Sequence, residues 1–474
     1  MPVSQIAIEL TQAGGTYADQ ITGQLRTAIE SGELQPGDRL PSARGLSAEL
    51  GVARGTVTAA LEGLIAEGLL ETRQGVGTFV SVDALPAVRP RRRARPRLSI
   101  AARRLPRPEI DAPRPGAIDL RPCRPSTREF PRNQWRRCLA DAAQRQPDPD
   151  YGSARGPLAL RRAIAAYLRR ARGYTVEPDN IVITSGSAHA MHLFAAAHAI
   201  AGTTAVVEDP GYALARHTFA MAGAELLACP VDTDGLCVGD LPMQPEGPAV
   251  VIVTPSHQFP TGARLSLGRR RYLVEWARRH GAVIIEDDYD GEYRYDVAPL
   301  PPLAALADDC VIYCGTFSKT MFPGLRIGFA AGPAEYIAAM ARYQALTAYA
   351  PGDVVHRALA EFIDAGHFER HVHRMRKHYA KKRRSVTDVL SALGVDAELT
   401  GLDSGLNGLL RLNDGRSAEQ LCENAALHGV VANSLERYRF QSKPTDDAIV
   451  IGYAEPTTTE LAQGLNVLLS TSGV

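Results

Sequence analysis

Lysine is the residue that this 474-residue sequence almost lacks. Among its 53 basic residues 48 are arginines, and the lysines are only five: Lys319, Lys377, Lys381, Lys382 and Lys443. Arginine serves as a surface cation as well as lysine does, but only a lysine amine readily loses its proton and condenses with a carbonyl. Lys319, the first lysine in the chain, is therefore a candidate for covalent chemistry.

Net charge, long apolar runs and paired cysteines are also missing. The 53 basic and 52 acidic residues leave a formal net charge of +1, so any contact with nucleic acid must be local. No stretch reaches the ~18 apolar residues that span a bilayer, and the N-terminus lacks a secretion signal, which predicts a cytoplasmic protein. The seven cysteines are scattered without a Cys-x-x-Cys pair, which predicts reduced core thiols and no metal site.

The composition divides the chain into three segments. Residues 1–81 carry about four more acids than bases and form a compact unit. Residues 82–117 form a predicted linker, since ten arginines and seven prolines between Val82 and Pro115 bury little surface. Residues 118–474 alternate apolar strand-like runs with helical stretches, which predicts an α/β domain with a large lobe at about 150–340 and a small lobe mainly at 345–474. Continuous apolar runs typical of buried parallel strands start at Ile181, Ala205, Val250, Val283 and Val311.

The N-terminal unit has the pattern of a helix-turn-helix followed by a hairpin. Apolar spacing predicts helices over residues 17–30 and 53–67, with a second helix starting near Ser42 between them. Residues 68–73 and 77–81 alternate like two strands around a short turn and form a predicted wing. Helix-turn-helix proteins place the start of the recognition helix in the major groove of DNA, here Arg54, Thr56 and Thr58.

Residues 17–81 resemble the winged helix-turn-helix of GntR-type bacterial regulators. The motifs that carry this resemblance are Gly37-Asp38-Arg39-Leu40-Pro41-Ser42-x-Arg44, Leu50-Gly51-Val52-x-Arg54-x-Thr56-Val57 and Gly75-x-Gly77-Thr78-Phe79-Val80. The resemblance implies that Ser42 and Arg44 hold phosphates, that Arg54 and Thr56 lie at the groove, and that Arg73 and Gly75 belong to the wing. Double-stranded operator DNA is then the expected partner.

The segment around Lys319 has the residues that a phosphate-bearing aldehyde requires. The amine of Lys319 can form a Schiff base, and Ser318 and Arg326 can neutralise the phosphate. Residues 184–188 join a strand to a helix and offer backbone N–H groups to an anion. Tyr212 can stack on a pyridine ring, while Asp287 and Tyr289 offer a carboxylate for its nitrogen and a phenol for its oxygen.

Residues 118–474 resemble the fold-type I pyridoxal 5′-phosphate enzymes of the aspartate aminotransferase family. The run from Thr254 to Gly262, the run Glu286-Asp287-Asp288-Tyr289-Asp290 and the GntR-type head are similar to the MocR/GabR subfamily of transcription regulators. The resemblance implies a cofactor bound at Lys319 and held by Ser187, Ala188, Tyr212, Asp287, Tyr289, Thr316, Ser318, Arg326 and, from a neighbouring subunit, Tyr151. A homodimer is therefore expected.

The chain departs from ordinary aminotransferases at two places. Phe259 stands where they carry an Asn that contacts the phenolic oxygen of the cofactor, and the run from Ile449 to Tyr453 lacks their carboxylate-binding Arg. The resemblance leaves Arg437 as the best match for a residue that grips the carboxylate of an effector, with Arg216 as a second candidate. These departures favour a regulator over an enzyme with physiological turnover, and leave residual transaminase activity open.

The leading hypothesis is thus a transcription regulator that depends on pyridoxal phosphate and senses either the cofactor itself or a small amino compound. The alternative is a metabolic aminotransferase with an added DNA-binding head. A third possibility is a binding module that holds no covalent cofactor.

Overall fold

The computed structural model describes residues 7–11, 15–83, 115–146, 149–198, 201–243, 245, 249–295, 301–347, 352–441 and 447–470. The chain divides into two compact units, one within residues 1–105 and the other within residues 106–474. Residues 84–114 of the predicted linker lie outside the described part of the chain. No helix in the described ranges is both long and apolar enough to cross a bilayer.

Three helices and one hairpin make up the N-terminal unit: α1 (Tyr17–Ser31), α2 (Ala43–Leu50), α3 (Arg54–Ala66), β1 (Leu70–Arg73) and β2 (Gly77–Val80). The Oγ atom of Ser42 accepts a hydrogen bond of 3.1 Å from the backbone N–H of Gly45, so α2 starts at the predicted cap. Gly51 ends α2 with a φ of +67°, a left-handed conformation that favours glycine. The short turn between α2 and α3 follows directly.

One small core holds these elements together. Ile21 and Leu25 of α1 pack with Val57 and Leu64 of α3, and all four are buried as the helical spacing predicts. Leu50, the last residue of α2, is half-buried and packs against the same core. The unit thus has its own hydrophobic core, formed within residues 8–80.

An eight-stranded sheet forms the centre of the second unit, in the spatial order β4-β11-β10-β9-β8-β5-β6-β7. Its strands are β4 (Ile181–Thr184), β5 (Thr204–Asp209), β6 (Glu225–Asp232), β7 (Gly235–Leu236), β8 (Ala249–Val253), β9 (Val283–Asp288), β10 (Val311–Thr316) and β11 (Gly328–Ala331). All five predicted apolar runs are strands of this sheet. The sheet is mixed, because β11 runs antiparallel to both β4 and β10 and β7 runs antiparallel to β6.

Both faces of the sheet are buried, which explains the continuous apolar runs. Ile181 and Ile183 of β4 join one hydrophobic cluster, whereas Val182 between them joins another. Successive strand residues point to opposite faces, so a strand covered on both sides needs an apolar residue at every position. The helices that flank the sheet and continue the chain are α4 (Arg132–Gln144), α5 (Leu158–Arg172), α6 (Ser187–Ala197), α7 (Ala213–Met221), α8 (Leu267–His280), α9 (Leu303–Leu306), α10 (Ala334–Thr347), α11 (Asp353–Asp364) and α12 (His367–Leu393).

The C-terminal part forms a small lobe around a second sheet. Strands β12 (Ala397–Thr400), β13 (Asn407–Leu412), β16 (Ala448–Gly452) and β15 (Asn433–Ser434) pair antiparallel in that order. Helices α13 (Ala418–Leu427) and α14 (Thr458–Ser470) belong to the same lobe. The two-residue strands β3 (Ile118–Asp119) and β14 (Val430–Val431) pair in parallel, which ties residues before the large sheet to the small lobe.

Candidate functional site

A cavity lies where β4, β5, β8, β9 and β10 end. The carboxyl ends of these mutually parallel strands meet at one edge of the sheet, which is where open α/β sheets place their ligands. The cavity encloses about 620 Å³, its open mouth included. It is lined by Cys123, Gly186, Ser187, Ala188, Tyr212, Thr254, Phe259, Asp287, Tyr289, Thr316, Ser318, Lys319 and Arg326.

One end of the cavity is built to hold an anion. Helix α6 starts there at Ser187, and Gly186 before it has a φ of +111°. A Cβ atom at Gly186 would lie 3.8 Å from both terminal nitrogens of Arg326, so the guanidinium lies directly beside the start of the helix. The Oγ of Ser318 is buried there without a hydrogen-bond partner. Helix N–H groups, a guanidinium and a free hydroxyl together suit a phosphate dianion.

Asp287 supplies a buried carboxylate at the end of β9. Its Oδ1 atom has no hydrogen-bond partner, although the residue is only 4% exposed. Burial raises the pKa of Asp287 to about 7, against the opposing effects of Ser187 and Lys319. A buried carboxylate without a partner is costly unless a cation or donor meets it. The protonated nitrogen of a pyridine ring would satisfy it.

Lys319 follows β10 and is the lysine that lines this cavity. Tyr289 follows β9 on the lining, and its hydroxyl lies 2.9 Å from Nδ1 of His257. The ring of Tyr212 lies at the start of α7, edge-on to Phe259 at 6.0 Å between centroids. An amine, a phenol and an aromatic ring therefore share one cavity with the anion site and the Asp287 carboxylate. This donor set fits an aromatic aldehyde with a ring nitrogen, a phenolic oxygen and a phosphate.

The structure brings nine of the ten predicted cofactor residues together around this cavity. The tenth, Tyr151, lies outside it and is fully exposed in the single chain. Four lining residues lie outside this set, and Phe259 among them is the residue that stands in place of the aminotransferase Asn. Thr254 and Gly186 stand inside motifs that the sequence singles out, whereas Cys123 comes from a distant segment and was expected to be an ordinary core thiol.

Cys123 has a φ of +60°, which is unusual for a residue other than glycine. Burial raises the pKa of its thiol to about 12, which keeps it protonated. The described residues contain no group of three or more His, Cys, Asp or Glu side chains arranged for a metal ion.

The two predicted effector arginines do not line the cavity in the described part of the chain. Arg216 is buried, and its guanidinium donates hydrogen bonds to the backbone carbonyls of Tyr438 at 2.8 Å and Arg439 at 3.2 Å. Arg437 is exposed and belongs to a 3₁₀ turn, Leu435–Tyr438, next to those carbonyls. The structure thus places both arginines at the same segment of the small lobe.

The residues predicted to contact DNA lie on the surface of the N-terminal unit. Ser42 and Arg44 are exposed at the start of α2, and Arg54 is exposed at the start of α3. Thr56 is half-buried. No side chain caps the start of α3, so its first N–H groups are available to a phosphate.

The wing has an antiparallel register in which Arg73 pairs with Gly77, and Gly75 turns with a φ of +73°. The guanidinium of Arg73 lies 2.6 Å from Glu71 and 4.5 Å from the ring centre of Phe79. Arg73 is thus held against the wing before any partner binds. Three helices followed by an antiparallel two-stranded wing make this unit a winged helix-turn-helix.

Fold and cavity together define a class: a winged helix-turn-helix unit and a fold-type I aminotransferase domain within one chain. Residues 17–80 match the family described as bacterial regulatory proteins of the gntR family, and residues 124–465 match aminotransferase class I and II. The chain belongs to the MocR/GabR-type family of transcription regulators, in which these two domains are fused, and it binds pyridoxal 5′-phosphate.

Similar proteins cover nearly the whole chain. The probable rhizopine catabolism regulatory protein MocR of Rhizobium meliloti is 35% identical over 95% of this chain and 92% of its own length. The pyridoxine biosynthesis regulator PdxR of Corynebacterium glutamicum is 33% identical over 92% and 91%. Among solved structures, a kynurenine aminotransferase of Pyrococcus horikoshii is 27% identical, with a TM-score of 0.67 over 75% of this chain and 90% of its own.

Proposed function

We propose that the large unit holds pyridoxal 5′-phosphate on Lys319, and that its ligand state sets how strongly the winged unit binds operator DNA. One observation carries this proposal. The cavity that contains Lys319 also contains two buried polar atoms without partners, Oδ1 of Asp287 and Oγ of Ser318. These two atoms suit two different groups of the same ligand. The first suits the ring nitrogen and the second suits the phosphate.

The lining residues divide the work of holding the cofactor. Ser187, Ala188 and the start of α6 offer N–H groups and a hydroxyl to the phosphate, together with Thr316, Ser318 and Arg326. Tyr212 covers one face of the ring, Asp287 holds the ring nitrogen charged, and Tyr289 donates to the phenolic oxygen. The bound cofactor supplies an aldehyde that exchanges between amines, with the ring as an electron sink.

An amino compound that also bears a carboxylate is the effector that these residues favour. Its amine would compete with Lys319 Nζ, while Arg437 would bind the carboxylate, with Arg216 supporting the same segment. Two similar proteins are named as regulators of rhizopine catabolism and of pyridoxine biosynthesis, so both a catabolic and a biosynthetic process are represented among them.

A homodimer follows from the exposed segment at Tyr151. This ring is fully exposed, and the same loop is expected to reach the phosphate of a neighbouring subunit's cofactor. A large aromatic side chain that is exposed in a single chain is commonly buried in a subunit interface. Two winged units would then bind paired half-sites of an operator. Binding to operator DNA would require the protein to be in the cytoplasm.

The domain limits 1–81, 82–117 and 118–474 belong to this proposal as well.

The alternative, a metabolic aminotransferase, is disfavoured by Phe259, which lines the cavity but offers no polar atom to a phenolic oxygen. The decisive experiment follows the visible absorbance and the operator affinity of the full-length protein in one titration with candidate amino compounds. We expect both signals to change at the same concentration. A steady turnover of an amino acid with unchanged operator affinity would refute the regulator.

A further inference from the structure

The imidazole of His257 has a hydrogen-bond acceptor at each of its two nitrogens. Nδ1 lies 3.0 Å from Oδ2 of Asp290, and Nε2 lies 3.2 Å from the backbone carbonyl of Gly401. A carboxylate and a carbonyl only accept, so both nitrogens carry hydrogens when both bonds form, and the single Nδ1 hydrogen then lies between Asp290 and the Tyr289 hydroxyl oxygen. The ring is 1% exposed, and in this doubly protonated form it makes a buried ion pair with Asp290.

The same ring touches the cofactor cavity through Tyr289. The hydroxyl of Tyr289 lies 2.9 Å from Nδ1 of His257, and Tyr289 lines the cavity itself. Phe259 lines the cavity nearby with a side chain that has no polar atom. The phenol backed by the imidazolium is thus the group positioned to meet the phenolic oxygen of the cofactor.

On its other side the ring meets a tightly packed segment of the small lobe, residues 401–405, which we call the glycine seam. A Cβ atom at Gly405 would lie 2.1 Å from Cε1 of His257 and 2.5 Å from Oδ2 of Asp290. A Cβ atom at Gly262 would lie 2.4 Å from Cα of Gly401. No side chain fits between the lobes here, so any displacement of the glycine seam alters the surroundings of the His257 ring.

We propose that His257 is a positioning residue that holds the Tyr289 hydroxyl toward the cofactor and links it to the glycine seam. The protonation of the bound cofactor and the seating of the small lobe then depend on each other. This inference rests on the proposed function, because it requires a cofactor bound to Lys319.

The direction of the effect follows from charge. An imidazolium behind the Tyr289 hydroxyl strengthens that hydroxyl as a donor and favours negative charge on the phenolic oxygen. Burial alone would lower the pKa of His257, but the Asp290 carboxylate and the Gly401 carbonyl raise it overall. Loss of the imidazolium should therefore let the cofactor keep its proton to a higher pH.

Several other titratable or charged groups act on the ring, on Tyr289 or on Asp290. They are Cys123, Glu208, Asp287, Arg294, Tyr295 and Tyr453. The substitutions used as a test leave all of these groups in place. Their effect on the pH midpoint of the cofactor absorbance is therefore the same in every variant and cancels in the comparison.

The test is a pH titration of the visible absorbance of the full-length, cofactor-loaded protein. His257→Gln keeps a donor toward Gly401 but removes the imidazolium, and His257→Asn keeps an amide near Asp290 and Tyr289. We expect His257→Gln to raise the midpoint by about one pH unit and His257→Asn to raise it less. Substitution of the exposed His428 to Gln is the matched control and should leave the midpoint unchanged.

Two further variants test the route of the effect. In a Tyr289→Phe background, His257→Gln should change the midpoint by less than about a third of its effect in the parent protein. Gly401→Ala, whose Cβ would lie 2.4 Å from the Thr261 carbonyl, should unseat the glycine seam and move the midpoint in the same direction as His257→Gln.

The outcomes separate this inference from the proposed function. A midpoint that stays within about 0.2 units in both His257 variants overturns the inference, as does a full shift in the Tyr289→Phe background. A parent protein without a visible band that depends on Lys319 overturns the proposed function itself. A normal band with an unmoved midpoint overturns only the role of His257.

Discussion

Arg216 on α7 donates a hydrogen bond of 2.8 Å to the backbone carbonyl of Tyr438, which belongs to the small lobe. Asp209 at the end of β5 accepts the backbone N–H groups of Phe440 at 2.8 Å and Gln441 at 2.9 Å. Two residues of the large lobe therefore fix the segment that directly follows Arg437. The position of Arg437 relative to the large lobe therefore depends on these hydrogen bonds.

The two arginines should behave differently when they are truncated. Arg437→Ala should abolish the response of operator affinity to an amino-acid effector and leave the visible absorbance of the cofactor unchanged. Arg216→Ala should also lower the free energy of unfolding by about 1–3 kcal/mol, because buried carbonyls lose their donor. Chemical denaturation and operator titration of both variants check this. If Arg437→Ala responds like the parent protein, the effector needs no carboxylate contact there and the large unit senses the cofactor alone.

Lys319 should be the site of covalent attachment. Reduction with borohydride should fix the cofactor to a single peptide that contains Lys319, since an amine condensed with an aldehyde becomes a stable secondary amine. Lys319→Ala should lose the visible band, while Lys377→Ala, on the exposed side of α12, serves as the matched control and should retain it. Peptide mapping that finds the reduced cofactor on another lysine contradicts the assignment.

Asp287 should control cofactor affinity. Asp287→Asn removes the buried negative charge that faces the ring nitrogen, and loss of one partner of a buried charge pair costs about 2–4 kcal/mol. The Kd for the cofactor should then rise roughly 30- to 1000-fold. Equilibrium dialysis of the parent protein and the variant measures this ratio. A change below about threefold would show that Asp287 does not meet a charged nitrogen.

Three buried carboxyls should each lower the stability of the cofactor-free protein as the pH rises from about 4 to about 7, whereas His356 and His371, whose pKa burial lowers to about 4, act in the opposite direction. Burial raises the pKa of Asp287, Glu208 and Glu286 to about 7, so the folded state binds more protons than the unfolded state within that window. Stability falls as these carboxyls ionise, and the loss is complete above about pH 7.

The decline in stability with pH should be shallower in Asp287→Asn and after saturation with the cofactor, which pairs the ionised carboxylate. Thermal unfolding at several pH values checks the slope, with the exposed Asp240→Asn as a control. Equal changes of stability between pH 4 and pH 7 in the parent protein and in Asp287→Asn contradict the prediction.

DNA binding should separate Arg44 from Arg54. Arg44→Ala should weaken binding to all sequences and reduce the salt slope, because it removes one phosphate contact. Arg54→Ala should cost about 1–3 kcal/mol and mainly on the cognate operator, because it removes a contact in the groove. Titrations on cognate and random duplexes at several salt concentrations distinguish the two. Equal affinities of both variants and the parent would refute the placement of α2 and α3 on DNA.

The elements that the sequence predicts well are those that local pattern defines. The helices of the N-terminal unit follow from their apolar spacing and caps, and β4, β5, β8, β9 and β10 follow from runs that two buried faces require. β11 was not predicted, because Gly328–Ala331 is short and made of small residues. Its antiparallel direction is set by pairing with β4 and β10, which no local pattern reports.

The candidate site shows the same division. Lys319, Ser318 and Arg326 stand within nine residues and were predicted from their spacing. Cys123 lines the cavity without any signal in the sequence, because it belongs to a segment that precedes β4 and no local pattern places it there. The glycine seam was also invisible in the sequence, since a contact between backbones leaves no periodic pattern. Residues that act through tertiary contacts are found only once the lobes are placed together.

The pairing of β4 with β11 sets the order in which the two units can fold during synthesis. Ile181 of β4 pairs with Ala331 of β11, so β4 cannot join the sheet before residue 331 has left the ribosome. Arg326, which lies just before β11, reaches its place beside Gly186 only at the same stage. The N-terminal unit completes its own core about 250 residues earlier, which corresponds to roughly 10–50 s at 5–20 residues per second. We expect every nascent chain to carry a finished DNA-binding unit throughout that interval, before it can hold the cofactor.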